Sequence, residues 1–164
     1  MTRLKINSEY AKRHLFVVAV FLSLSGWFGY DGFVRYPAQD AAALYESIEK
    51  SSAPADFDLE EFKLQKIQSQ KYFSYFLFVF ASVVLFRLWR SFKFDFSWNS
   101  EFFVVSGVRR SLSEITAVDK LKWEKTGIAV ISGKDFSVKL DSWHHVGVKE
   151  FISVVDEKLA AGDR

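Results

Sequence analysis

Two long apolar blocks constrain the fold of this chain more than any other feature of its sequence. The first runs from residue 15 to residue 30 without a charge, and it extends to Val34 if Asp31 lies near a membrane interface. A helix needs about 20 apolar residues to cross the hydrocarbon core of a bilayer. The segment 15–34 meets that length, so it is predicted to be a transmembrane helix.

The second block, residues 72–86, is also uncharged. It extends to about residue 90 if Arg87 reaches the lipid surface through its aliphatic stem. A second transmembrane helix is therefore predicted over 72–90. Aromatic side chains are enriched where a membrane meets water, and such residues lie towards the block ends: Trp27, Tyr30, Tyr72, Tyr75 and Trp89.

Two alternatives stay open for these blocks. A pair of buried helices in a soluble protein would normally show a polar stripe, and neither block has one. A signal peptide over residues 1–25 would need a cleavage site, and Ser23 and Ser25 are small enough to supply it. However, the basic region before the apolar core is long for a signal peptide, and bulky aromatic residues follow the core.

The distribution of basic residues predicts the orientation of the two helices. Lys and Arg near membrane spans favour the cytoplasmic side. Four precede the first block and three follow the second, whereas the segment 31–71 carries five basic and eight acidic residues. We therefore expect both termini to be cytoplasmic and the connecting loop to be extracytoplasmic.

That loop is predicted to be partly helical. Pro37 is expected to start a helix over 38–50, and the sequence SSAP at 51–54 breaks it. Asp58 is expected to cap a helix that continues without a stop into the second block. The loop is either a solvated connector or a docking surface for a partner outside the membrane.

Small residues in the first block offer a face for close helix packing. Ser25 and Gly29 are four residues apart, and Gly26 lies between them. Such spacing lets two helix backbones approach each other. The neighbour is either the second helix of the same chain or another subunit.

From residue 92 the sequence changes to the pattern of an α+β domain. Phe92, Phe94, Phe96 and Trp98 alternate with polar residues, which predicts a strand. Further strands are predicted over 101–106, 128–131 and 136–140, and a short strand or turn is predicted within 112–118 and within 120–124, with a loop at 107–111 and a hairpin turn at 132–135.

The last part of the chain has the spacing of an amphipathic helix. Apolar residues recur at intervals of three and four, and Gly162 is expected to stop the helix. The residues on this apolar face are Val148, Phe151, Ile152, Val155 and Leu159.

Strands that follow a membrane hairpin and end in one amphipathic helix resemble the bacterial pleckstrin-homology-like (PH-like) domains of small two-helix membrane proteins. The resemblance is carried by ITAVDK at 115–120, KWEKTGIAV at 122–130 and LDSW at 140–143, and it covers about 65 of the 164 residues. It implies a membrane α-helical hairpin plus an α+β domain, in which residues 92–164 form a split β-barrel closed by one C-terminal helix. Residues 1–91 would then hold an N-terminal tail, the hairpin and the loop.

The same resemblance implies a location in the bacterial cytoplasmic (inner) membrane and a role in binding or assembly. The fold usually recognises proteins or lipid head groups, and fold alone does not say which.

No residue pattern in the sequence indicates catalysis. The chain has no Cys, which excludes thiolate chemistry and zinc–thiolate sites. His144 and His145 are adjacent but do not by themselves converge on one metal ion. The acidic residues Asp119, Glu124 and Asp141 occupy expected turns or strand ends, where carboxylates commonly bond to their own backbone. We expect no catalytic residue, no cofactor and no metal.

Possible contacts to a partner or to lipid come from basic and aromatic residues. Residues 91–164 carry eleven basic and eleven acidic residues, so the domain is neutral and nucleic acid is not an expected partner. Anionic lipid still attracts local basic clusters, although solvated surface positions would look the same. The candidate residues are Arg87, Arg90, Lys93, Arg109, Arg110, Trp123 and Trp143.

Three hypotheses of function follow. The first is a non-enzymatic scaffold or accessory subunit that presents the domain to a protein partner, or to a second copy of itself, at the membrane surface. The second is a membrane-surface sensor that binds anionic lipid head groups. The third is an enzyme with a site at the bilayer interface, which lacks a convergent set of titratable residues.

If the two blocks cross a membrane, the full-length chain will stay in the membrane pellet after alkaline carbonate extraction and will need detergent for release. The reason is that transferring two apolar helices into water is strongly unfavourable. The measurement is ultracentrifugation of extracted membranes followed by immunoblotting. Recovery of soluble, unaggregated chain without detergent would contradict the prediction.

Overall fold

The computed structural model describes residues 1–162. The chain divides into two compact units. The helical unit comprises His14–Phe86, and the β-rich unit joins Met1–Arg13 to the chain from Arg87 onward. The first thirteen residues therefore fold with the C-terminal region.

The first apolar block lies in a long helix that changes pitch near its end. Helix α1 spans Ser8–Tyr30, a π-helical segment covers Asp31–Arg35, and α2 spans Tyr36–Ala38. Pro37 thus lies near the end of this continuous helix, and the prediction that it starts the next one is wrong. Proline fits here because its fixed φ suits the first turn of the short α2.

The next helix, α3, spans Ala41–Glu49. It begins after Asp40 because the carboxylate of Asp40 accepts hydrogen bonds from the backbone N–H groups of Ala42 and Ala43, at 3.0 and 3.4 Å. The signal for its start was therefore the capping aspartate and not the proline.

Helix α4 spans Leu59–Lys93 and contains the whole second apolar block. Asp58 caps it as predicted, since its carboxylate accepts a hydrogen bond from the backbone N–H of Glu61 at 2.9 Å. A helix of 35 residues is about 50 Å long, well beyond the thickness of a hydrocarbon core.

Two helices are long and apolar enough to cross a membrane: Ser8–Ala38 and Leu59–Lys93. Only 22% of the most apolar window of each is buried within the molecule. The core helices of a soluble protein would be mostly buried, so these helices direct most of their apolar surface outward. Large exposed side chains include Phe16, Trp27, Tyr72, Phe76 and Val79.

Within the helical unit, two serines join the long helices. The hydroxyl of Ser25 donates to the carbonyl of Ser74 at 2.9 Å, and the hydroxyl of Ser74 donates to the carbonyl of Ser25 at 2.9 Å. A Cβ atom on Gly29 would lie 3.1 Å from the hydroxyl of Ser74, so small residues allow this approach. The second helix of the same chain is therefore the neighbour of the small-residue face. Gly26 lies outside this contact.

The β-rich unit contains short antiparallel strands and a C-terminal helix. The strands are β1 (Thr2–Arg3), β2 (Lys5–Ile6), β3 (Phe96–Trp98), β4 (Phe102–Val105), β5 (Val108–Ser111), β6 (Ile115–Asp119), β7 (Ile128–Gly133), β8 (Phe136–Asp141) and β9 (His145–Val146). The helical elements are a 3-10 turn (Leu112–Glu114), α5 (Trp123–Thr126) and α6 (Val148–Gly162).

These strands form three sheets in the described part of the chain. The largest has the order β1-β3-β4-β5, the second has the order β6-β7-β8, and the third pairs β2 with β9. The hairpins β3–β4, β4–β5 and β7–β8 connect neighbours directly, which confirms the predicted run of consecutive antiparallel strands.

Two local predictions need correction. The strand expected from Phe92 begins at Phe96, because α4 continues to Lys93. The expected loop at 107–111 is mostly strand β5, joined to β4 by a tight turn in which Ser106 and Gly107 both have positive φ. Of the strand or turn left open within 120–124, the structure has a turn that leads into α5, whose C-cap is Gly127.

The core of the β-rich unit is aromatic. Phe96, Phe103 and Phe151 are fully buried, and the ring centroids of Phe96 and Phe151 lie 4.8 Å apart in an edge-to-face arrangement. Helix α6 buries Val148, Ile152 and Val155 in the same cluster, besides Phe151, which confirms the predicted amphipathic helix. It includes Gly162, and the expected stop after this residue lies outside the described residues.

The N-terminal residues complete this core. Thr2 and Arg3 pair with Trp98 and Ser97 of β3, and Leu4 is only 5% exposed within the core cluster. The backbone N–H of Leu4 also donates to the carbonyl of Phe96 at 2.9 Å. The segment treated as an N-terminal tail in the sequence thus supplies two strands and one core side chain.

We expect Leu4→Ala to destabilise the β-rich unit by about 2–5 kcal/mol, because it removes a buried side chain and leaves a cavity. Hydrogen exchange of the β3 and β4 amides in the detergent-solubilised chain would measure the change. Lys5→Ala, at an exposed neighbouring position, is the control and should leave those rates nearly unchanged. Equal rates for Leu4→Ala and the parent chain would contradict the packing described.

Candidate functional site

The β6–β7–β8 sheet has one face in the core and one face outward. Ala129, Ile131 and Leu140 are buried on the inner face. Because side chains alternate along a strand, their neighbours point the other way. The register pairs Asp119 with Val130 and Val130 with Lys139, so these three residues form one row across the outer face.

This row forms part of an open cavity of about 230 Å³. Its apolar lining comes from Ile128, Val130 and Leu121, and Leu121 is 93% exposed. Leu121 therefore does not contribute to the folded core, and it lies next to two other apolar residues of the same cavity.

The charged side chains around this cavity differ in whether they have a partner within the described residues. The carboxylate of Asp119 accepts a hydrogen bond from the backbone N–H of Leu121 at 2.9 Å, which fixes the turn after β6. Lys120 pairs with Asp156 of α6. Within the described residues, Lys122 and Lys139 form no ion pair, so the cavity has an apolar floor and two available cations at its rim.

A second open cavity, of about 210 Å³, lies beside the last turn of α4. Lys139 lines both cavities. The other lining residues come from α4, from the residues between α4 and β3, and from the β8–β9 connection: Arg90, Ser91, Phe94, Asp141, His144 and His145.

Histidine and aspartate side chains shape this second cavity. His145 is 7% exposed, and its Nε2 lies 3.2 Å from the carbonyl oxygen of Ser91. Since a carbonyl only accepts, this geometry assigns the proton to Nε2. The ring of His144 packs against Tyr10 with centroids 4.2 Å apart, and its Nδ1 lies 3.6 Å from a carboxylate oxygen of Asp141.

The carboxylate of Asp141 mainly holds a turn. One of its oxygens accepts hydrogen bonds from the backbone N–H groups of Trp143 and His144, at 2.9 and 3.3 Å. This is the local backbone bonding expected for an aspartate at a strand end. In residues 1–162 no group of three His, Asp or Glu side chains is placed to hold a metal ion.

The structure separates the basic residues proposed from the sequence. Arg87, Arg90 and Lys93 lie in the last turns of α4, and of these only Arg90 lines the cavity beside α4. Lys93 lies 5.9 Å from the ring centroid of Trp89, a neighbour on the same helix.

Arg109 and Arg110 of β5 are engaged in contacts within the β-rich unit. The guanidinium carbon of Arg109 lies 3.5 Å from the ring centroid of Phe102, and that of Arg110 lies 4.6 Å from the ring of Phe136. Arg110 also pairs with Glu114 at 3.4 Å. Neither arginine lines the two cavities described above.

The two tryptophans singled out from the sequence have different environments. Trp123, the first residue of α5, is half-buried against the core cluster. Trp143 is 60% exposed and does not belong to the core cluster. Neither side chain lines the two cavities.

Sequence reasoning did not select Lys139 or Leu121. Lys139 occupies an outward position on β8, which the alternation of Phe136, Val138 and Leu140 already indicates. Leu121 was assigned to a short strand or turn with Trp123 on the same face, and it lies in the turn before α5. The presence of Lys139 and Arg90 in one cavity depends on tertiary structure and has no local signal.

Comparison with protein-family models, with curated proteins and with solved structures finds no match to this chain.

Trp123→Ala should lower the free energy of unfolding of the β-rich unit by about 2 kcal/mol, because it removes half-buried apolar surface. Trp143→Ala serves as the matched comparison and should change the free energy of unfolding by about 0.5 kcal/mol or less. Chemical unfolding of the detergent-solubilised full chain, followed by hydrogen exchange of the core amides, would measure both. A larger effect at Trp143 would contradict the assigned environments.

Proposed function

We propose that this chain is a non-enzymatic scaffold or accessory subunit of the bacterial cytoplasmic membrane. Its helical unit anchors it in the bilayer, and its β-rich unit is presented at the cytoplasmic surface to a protein partner. The observation that carries this proposal is the outer face of the β6–β7–β8 sheet, where exposed Leu121 lies beside Ile128 and Val130 between two lysines that form no ion pair with any residue of 1–162.

The outward apolar surface of the helices supports the membrane anchor. Side chains such as Phe16 and Phe76 would be unfavourable in water and favourable among lipid chains. The pairing of Thr2–Arg3 with β3 supports placing both chain ends on one side of the membrane, because paired strands must share one aqueous compartment. The excess of basic residues next to the spans supports the cytoplasmic side.

The partner we propose is a protein segment that carries apolar and acidic side chains. Apolar groups would cover Leu121 and Val130, and carboxylates would pair with Lys122 and Lys139. Central apolar anchors contribute most of the binding energy of an interface, and charged rims contribute orientation. Anchoring in the same membrane raises the effective concentration of a partner, so a small interface can be occupied.

A PH-like split β-barrel closed by α6 is the fold we propose for the β-rich unit. Its support is the succession of hairpins followed by a helix that buries Phe151 and Val155 in the common core. Such a barrel would leave strand edges and connecting turns as its binding surfaces.

The alternative function is a membrane-surface sensor that binds anionic lipid head groups. The observation that favours it is the cavity beside α4, where Arg90 and Lys139 lie close to the end of the second apolar helix.

Leu121→Glu should abolish capture of a stoichiometric partner while leaving the β-rich unit folded. A carboxylate at this position would repel the acidic partner and remove the exposed apolar contact, and Leu121 is not part of the core. Crosslinking in native membranes, followed by purification and mass spectrometry, would measure the captured protein.

Val108→Glu is the matched control, since it makes the same kind of change at an exposed position of β5. It should retain the partner. Loss of the partner in both variants would indicate a general effect of charge, and retention in Leu121→Glu would rule out this surface. A parent chain that yields no stoichiometric partner would contradict the proposed function itself.

A further inference from the structure

The cavity beside the last turn of α4 contains the elements of a phosphate-binding site. Arg90 and Lys139 both line it, and neither forms an ion pair within the described residues. Guanidinium and ammonium groups are the usual protein ligands of phosphate oxygens. Two cations from distant parts of the sequence thus converge on one open cavity.

The charge balance of the lining favours a phosphate with a single negative charge. Asp141 is the one carboxylate among the lining residues, and its turn hydrogen bonds keep it in place. Among Arg90, Lys139 and Asp141, two cations and one carboxylate give a net charge of +1. A phosphodiester carries one negative charge, whereas a monoester carries between one and two near neutral pH.

The position of Arg90 indicates where such a phosphodiester would come from. Arg90 lies four residues beyond Phe86, the end of the second apolar block, which is about 6 Å further along the continuous α4. In a helix that spans a bilayer, this distance places Arg90 at the level of the lipid head groups. Phe94 adds an apolar wall against which the carbon atoms of a head group can pack.

We propose that this cavity binds the phosphodiester of an anionic phospholipid head group, with Arg90 and Lys139 as the ligands of its phosphate oxygens. This inference rests on the proposed membrane anchoring and does not depend on the protein partner. His145, held by Ser91, fixes the wall between α4 and β9. Bound lipid would therefore attach the β-rich unit to the bilayer surface at a defined point.

The test uses the full chain purified in mild detergent and examined by native mass spectrometry. Phosphatidylglycerol is compared with diacylglycerol of the same acyl chains, which lacks the phosphate. We expect about tenfold or greater preference for phosphatidylglycerol. Equal retention of the two lipids would overturn the proposal.

Charge-removing variants locate the site. Arg90→Gln combined with Lys139→Gln should reduce retention of phosphatidylglycerol about tenfold. The control pair Lys134→Gln and Lys149→Gln removes the same charge from exposed positions outside the cavity and should leave retention unchanged. Equal loss in both pairs would overturn the proposal, because it would show a response to net charge alone.

A third variant tests the site by a gain of binding. Asp141→Asn keeps an oxygen that can accept the turn hydrogen bonds but removes the single negative charge of the lining. It should increase retention of phosphatidylglycerol several-fold. Unchanged or weaker retention in a chain with the parent melting temperature would count against the proposed charge balance.

Soluble competitors distinguish a lipid from a free phosphate. Glycerophosphoglycerol, the deacylated head group, should displace the lipid only at high concentration, and inorganic phosphate should displace it less well. Displacement by inorganic phosphate at the concentration of the lipid would overturn the lipid assignment. Release of the chain from membranes by carbonate would contradict the membrane anchor instead, so the two failures are distinguishable.

Discussion

The β-rich unit depends on strand pairing between the first six residues of the chain and strands that follow the second long helix. β1 extends the sheet of β3, β2 pairs with β9, and Leu4 lies between them in the core. The polypeptide therefore leaves the domain through α1 and returns to it through α4. One domain is therefore joined to the two helices by two covalent connections.

This arrangement also orders the assembly of the chain. The N-terminal strands are synthesised first, but their partners follow more than eighty residues later. Contacts at such separation carry a large loop-closure entropy cost, which slows folding. The close contact of Ser25 with Ser74 brings the helices together and shortens the search for the remaining strand pairs.

The features that the sequence predicts well are those with a long regular pattern. The two apolar helices and the amphipathic α6 each contain several turns of consistent spacing, and Asp58 marks the start of α4 with a known capping geometry. β1 and β2 have two residues each, too few for a period to be visible. β5 carries two arginines, which lie over the rings of Phe102 and Phe136. Its polar composition therefore led to the prediction of a loop instead of a strand.

The candidate sites were predicted less completely, for a related reason. Arg90 was selected because it follows an apolar block, which is a local signal, whereas the presence of Lys139 in the same cavity depends on tertiary structure. Arg109 and Arg110 were also selected as basic residues, but they make contacts within the β-rich unit. Residue type alone thus does not separate a cation that binds a ligand from one that supports a sheet.

Gly32, inside the π-helical segment, lets the two long helices approach closely. A Cβ atom there would lie 3.0 Å from the backbone nitrogen of Lys71, so an added methyl group would require the two backbones to shift slightly apart. Gly29, about one turn earlier on the same continuous helix, lies similarly close to Ser74, since a Cβ atom there would be 3.1 Å from the serine hydroxyl. Two glycines one turn apart therefore keep this end of the helix pair closely packed, and a larger side chain at either position would widen the separation.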